Sequence, residues 1–285
     1  MHQVKHGNQT GQYQFMHLQE DAALRTIILQ RLRLYASAAH RGAIKRIRAA
    51  LADNLAPTAT TQASSPGYPY ALDDTTLKGY LGELLAGLAI EHFQLFGKKE
   101  WEVPVFVFHT HSQAFNQLEN WRLGRPMATA TFGRTGNDCV AFRRDEQQAI
   151  TDVIICEAKC SGTHDLSLVH KAHKDLSTKK TSRVILWQLR EALAYAGHPQ
   201  AQSWRASLDA FERQGIGVVK ERDVVSYTCG DTPQAKDRKH WMSNITHDSN
   251  YTGNRPLAAI EIHLDVTTLI DQLYRDAAYW DGIHD

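Results

Sequence analysis

The 285-residue chain has no apolar run near the roughly 20 residues that span a bilayer, so no membrane-crossing helix is expected. Its first residues, Met1 to Phe15, are polar and lack a signal-peptide core, which points to the cytoplasm. Cysteine is sparse. Cys139, Cys156, Cys160 and Cys229 follow no secreted disulfide framework and contain no CxxC pair, so reduced thiols are expected. No GxxxxGK[ST] stretch is present, which excludes a phosphate loop of that kind and assigns any ATP-driven step to a partner. A surplus of charge is also missing. With a net charge of +1, the molecule as a whole does not announce a nucleic-acid binder. The local balance differs: between Asp21 and Asp53 there is no acidic residue, while Arg25, Arg31, Arg33, Arg41, Lys45, Arg46 and Arg48 all fall there.

Those basic residues lie on a helical pattern over 20–52. Leu24, Ile27, Ile28, Leu32 and Tyr35 recur at three-and-four spacing, Ile44, Ile47 and Leu51 resume it, and Gly42 is a candidate break. Such a face is either solvated or a surface for a phosphate backbone or an acidic partner protein, with Arg41, Lys45 and Arg48 as the candidate nucleic-acid contacts. Residues 1–17 read as disordered or loosely attached. The stretch 53–72 is rich in Pro, Ser, Thr and Ala and reads as a linker. The division expected is therefore a basic helical region (1–55), a linker (56–72) and a main domain (73–285).

In the main domain the spacing predicts a helix over 74–96 capped by Asp73 or Asp74, a strand over 101–108, a helix over 112–122 and an irregular Gly-rich stretch over 124–136. Strands at 137–143 and 149–160 follow, joined by a polar turn. Helices at 165–178, 182–197 and 200–213 precede short strands at 216–220 and 222–228. An aperiodic stretch at 229–256, a strand at 257–264 and a helix at 266–280 close the chain. This mixture predicts an α/β (α+β) architecture, a central mixed sheet flanked by helices with an N-terminal helical extension.

The chemistry concentrates in GNDCVAF (136–142) and DVIICEAKC (152–160). The two-residue strand period puts Val153, Ile155, Glu157 and Lys159 on one face, so the last two project together at the end of an apolar strand. A hairpin brings Asp138 beside Glu157. Two carboxylates that close repel unless a cation intervenes. Asp138, Glu157 and the Ala158 carbonyl would suit Mg²⁺ (or Mn²⁺), which prefers oxygen ligands. A metal so held activates water and stabilises charge on a phosphate. Lys159 is placed to orient the water, to offset phosphate charge or to act as base. Glu83 lies in an apolar helix with Gly79 and Gly87 four residues to either side, a bare face that would let it reach the metal.

Helix Glu83, then Asp138, then Glu157-Ala158-Lys159 resembles the PD-(D/E)xK, or restriction-endonuclease-like, nuclease superfamily over about residues 74–197. Asn137 stands where that pattern has proline. The resemblance implies a restriction-endonuclease-like sheet and DNA phosphodiester hydrolysis with Glu83, Asp138, Glu157 and Lys159 in the active centre. Gln188 resembles the glutamine that some branches carry after the last motif. The GEL…GND…EAK arrangement is also similar to the nuclease subunit of Hachiman-type anti-phage defence systems, which implies a helicase or ATPase partner. Two alternatives stand beside this: a non-catalytic binding or assembly subunit with the same fold, and an RNase.

Fifteen histidines raise the question of other metals. Cys156, Cys160 and His164 are spaced by four, but the two cysteines fall on the face opposite Glu157, where packing against a helix is expected, and zinc is not. His170, Lys171, His173 and Lys174 read as a basic helix face, either solvated surface or, through Lys171 and Lys174, a set of phosphate contacts, with Lys179, Lys180 and Arg183 continuing it. His109 and His111 are possible substrate contacts after a strand. KDRKHW (236–241) joins charge to Trp241 in a loop.

Overall fold

A computed structural model describes residues 2–7, 13–52, 67–106, 138–233 and 240–283. Six strands form one sheet: β1 (His2–Gly7), β2 (Tyr13–Gln19), β3 (Cys139–Arg144), β4 (Ile150–Ser161), β5 (Lys220–Cys229) and β6 (Leu257–His263). Their spatial order is β1-β2-β6-β5-β4-β3. The inner four, β2, β6, β5 and β4, run parallel, and β1 and β3 close the two edges antiparallel. Parallel strands need both faces covered. Accordingly β6 is buried along its whole length and β5 along its last eight residues.

The helices are α1 (Arg25–Ala52), α2 (Asp74–His92), α3 (Leu166–Thr178), α4 (Arg183–Tyr195), α5 (Ala201–Gln214), α6 (Val266–Tyr274) and α7 (Ala277–Asp281). They sort by sheet face. Ile154, Cys156, Ala158, Val224, Ala258 and Ile260 pack with apolar residues of α1, α2, α6 and α7. Val153, Ile155, Val225, Leu257 and Ala259 pack with those of α3, α4 and α5. The result is a three-layer α/β/α arrangement, the mixed sheet flanked by helices that the alternating pattern predicts.

Local signals explain the elements nearest the site. Asp73 caps α2, its Oδ1 accepting from the Thr76 amide at 3.0 Å. That helix is apolar nearly all round because it is buried nearly all round, between the sheet and the outer helices. At Gly82 an added Cβ would lie 2.9 Å from Cys160 Cβ, and at Gly87 one would lie 2.5 Å from the Phe106 ring. The point of contact with β4 is thus Gly82, which the spacing argument did not single out.

Several expectations are corrected. Residues 2–7 and 13–19 are strands of the sheet, with Phe15, Met16 and Leu18 buried, rather than a loose terminus. Too short to show a long period, 13–19 gain their order by pairing with β6, and 2–7 by pairing with 13–19 in turn. β2 therefore comes from before the proposed linker and sits beside strands from after it. Gly42 does not break α1; its missing side chain admits the backbone of Ala196, 3.3 Å from where its Cβ would stand. Within 101–106 only Glu102 bridges, to Phe142, and no strand forms. The segment 216–220 begins as a 3₁₀ turn, Ile216–Val218, and β5 is a single strand. The closing helix is interrupted where Asp276 caps α7. The helix expected at 112–122, the stretch 124–136, His109, His111, and residues 236–239 of KDRKHW lie outside the described residues.

Candidate active site

The β3–β4 register places Cys139 opposite Cys156, which continues to Asp138 opposite Glu157 at the mouth of the hairpin. Glu157 and Lys159 follow Val153 and Ile155 on the face toward α3–α5. Cys156, Ala158 and Cys160 face α2, as the strand period requires. Asp138, Glu157 and Lys159 are all buried, at 4%, 2% and 8% exposure. Asp138 Oδ2 accepts a hydrogen bond from the Ala158 amide at 2.9 Å, which ties the two strands together at the motif. Lys159 Nζ donates to Glu157 Oε1 and lies 3.8 Å from Asp138 Oδ2, so one ammonium spans both carboxylates.

A fourth member, Lys179, was read from the sequence only as part of a basic stretch. It stands just past the C-terminus of α3 and donates to Glu157 Oε2. Two acids and two ammonium groups make the cluster electrically balanced, a condition for burying any of them. Burial is the main force raising the Glu157 pKa above the usual carboxylate range, and Asp138 adds to it. Lys159 and Lys179 pull the other way without cancelling the rise.

Glu83 is buried on α2, in the layer packed on the other sheet face. Its charge is felt by Tyr68, Tyr274 and Cys139. The Cys139 thiol, raised foremost by burial, is pushed further by Glu91, Glu83 and Asp138. Glu83 and Asp138 therefore converge on one thiol at the start of β3. Gln188 is half-buried on α4.

The basic surface expected around the site is reduced. His173 is in the core, its Nδ1 2.9 Å from the Val169 carbonyl, because it lies on the same stripe of α3 as Val169 and Leu176. Burial lowers its pKa. His170 pairs with Asp248 at 2.8 Å, and exposed Lys171 with Asp175 at 2.9 Å. Lys174 and Arg41 are exposed and Lys45 half-buried, while the Arg48 side chain lies outside those described. On α1, Arg25 and Arg33 are engaged by Glu20, Asp265 and Asp276.

Neither a family model nor a curated protein matches the chain. Two carboxylates on adjacent strands beside the Ala158 peptide are a hard-oxygen donor set of the kind Mg²⁺ or Mn²⁺ takes. The Lys159 ammonium already lies between them as a cation, so the donor set fits a divalent ion. Among the described residues, no helix is long and apolar enough to cross a membrane.

Proposed function

We propose that the chain is a cytoplasmic, divalent-metal-dependent nuclease that hydrolyses DNA phosphodiester bonds, of the PD-(D/E)xK kind. The carrying observation is the single ammonium of Lys159 set against both Glu157 and Asp138, buried at the end of an apolar strand. Asp138 and Glu157 would hold Mg²⁺ or Mn²⁺ with the Ala158 carbonyl, and the ion would supply Lewis acidity to water and to the scissile phosphate. Lys159 orients the attacking water and offsets charge on the phosphate. Lys179 holds Glu157 in the ionised form that binds a cation. Glu83 adds negative potential behind Asp138 through their shared neighbour, and Gln188 is a candidate substrate contact. Arg41, Lys45, Arg48, Lys171 and Lys174 are the proposed backbone contacts.

Cleavage of plasmid and linear DNA with Mg²⁺, Mn²⁺ or EDTA tests this. Glu157→Ala and Lys159→Ala are each expected to reduce cleavage by at least about a hundredfold, the range lost when a transition-state contact is removed. Undiminished cleavage by both variants would sink the reading. Matched RNA substrates separate an RNase from a DNase. The similarity of GEL…GND…EAK to a defence nuclease supports work beside a helicase or ATPase. Co-purification with the product of a neighbouring helicase gene tests that step.

One observation favours a second reading. Lys159 pairs with Glu157 and lies near Asp138, and Lys179 pairs with Glu157, so two ammonium groups can balance the two acids, as in a retired site of a non-catalytic assembly subunit. Calorimetric titration with Mg²⁺ and Mn²⁺ decides: heat of binding lost in Asp138→Asn supports the nuclease, and none in the wild type supports the subunit.

A further inference from the structure

The face that carries Glu157 and Lys159 has a second polar group. In register, Lys159 lies opposite Tyr227 on β5, Tyr227 opposite Glu261 on β6, and Glu261 opposite His17 on β2. His263 follows Glu261 by two residues and shares its face. Above them comes His240, on the chain between β5 and β6. Its ring meets that of His17 edge-on at 4.8 Å, and the His17 and His263 rings meet likewise at 4.7 Å.

Glu261 is fully buried. Its Oε2 accepts from the Met242 amide at 2.7 Å. Its Oε1 faces His263 Nε2 at 2.8 Å and His240 Nδ1 at 3.6 Å. One ligand atom from each of His17, His240 and Glu261 falls within 4.8 Å of the others. Ligands about 2.1 Å from a tetrahedral zinc ion lie about 3.5 Å apart, so small side-chain rotations close the set. A buried carboxylate needs a counter-charge. Three imidazoles, those of His17, His240 and His263, surround this one. Imidazole nitrogens gathered around a single carboxylate are the donor set that a borderline-soft divalent ion takes and that Mg²⁺ does not.

We propose that His17, His240 and Glu261 bind one transition-metal ion, zinc foremost, with His263 and the Met242 amide orienting the Glu261 carboxylate from behind. The site joins the N-terminal strand β2, the strand β6 and the chain that carries His240. Trp241, beside His240, stacks on His164 at 3.7 Å, and His164 Nδ1 lies 3.2 Å from the Tyr227 hydroxyl next in register to Lys159. The ion thus pins that chain over the sheet, two strands away from Glu157. This proposal stands independently of the phosphodiesterase reading.

The test uses full-length protein carrying no histidine tag, in an Asp138→Asn/Glu157→Gln background that removes the other candidate site. After loading with Zn²⁺ and desalting, elemental analysis is expected to find one zinc per chain. Substituting Co²⁺ is expected to give the visible absorption of a low-symmetry nitrogen–oxygen site. Adding His240→Ala, a substitution outside any strand or helix, is expected to abolish both signals while far-ultraviolet circular dichroism stays unchanged. His263→Ala is expected to retain the ion with affinity lowered tenfold or more. Failure of the background protein to hold zinc or cobalt overturns the proposal, as does retention of the ion by folded His240→Ala protein.

Discussion

Glu157 is the residue on which the cluster's chemistry turns, and its titration carries a sign that can be checked. Burial and Asp138 raise its pKa above the ordinary 4.5, and Lys159 and Lys179 oppose the rise. Only the ionised carboxylate binds a cation. The proposed cation binding is therefore expected above the raised pKa and to be lost as pH falls through it, at a higher pH than for an exposed glutamate. Lys179→Met removes an opposing charge, so the acid limb is expected to move to still higher pH, by about half a unit or more. Mn²⁺ titration calorimetry across a pH series reads this shift; an unmoved limb would show that Lys179 does not act on Glu157. The pairing of Glu157 with Lys159 was legible in the sequence because a strand has a two-residue period. Lys179 was not, because nothing in a run of lysines says which one the end of a helix delivers to a strand twenty-two residues back.

At the scale of elements, α2 shows how a helix is held against the motif strand. Gly82→Ala favours the isolated helix by about 1 kcal/mol. It also sets a Cβ 2.9 Å from Cys160 Cβ on a strand that is pinned on both sides. Overpacking of that kind costs about 1–3 kcal/mol, so a net loss of stability is expected. A lower urea midpoint with an unchanged slope would show it, and a raised midpoint would mean that α2 is free to slide. Helix periods and caps made α2 through α5 readable to within a few residues. Gly42, read as a break, lies inside α1 because a glycine that costs helix stability also lets Ala196 approach, and only the packed partner reveals which effect wins.

The molecule as a whole depends on its first nineteen residues. β2 hydrogen-bonds β6 along its length and buries Phe15, Met16 and Leu18. Deleting residues 1–19 strips two strands, bares the edge of the apolar strand β6 and removes His17. The truncated chain is expected to lose cooperative thermal unfolding and to aggregate, as followed by circular dichroism and light scattering. A soluble, cooperatively folding 20–285 fragment would show instead that the N-terminal strands are dispensable to the main domain.

What the sequence determined by itself was local: the hairpin that sets Asp138 beside Glu157, the common face of Glu157 and Lys159, the cap on α2, and the α/β class. Each follows from periods and caps that act over a few residues. What only the tertiary structure decided was which distant segments meet: β2 against β6, Lys179 on Glu157, Glu83 in the layer opposite Glu157, and His17, His240 and Glu261 around one point. Strand pairing across more than two hundred residues is chosen by the burial of whole faces, and no local period encodes it. The Cys156, Cys160 and His164 spacing that first raised a metal resolves into packing and a ring stack, while the histidines that do converge come from three segments far apart in the chain.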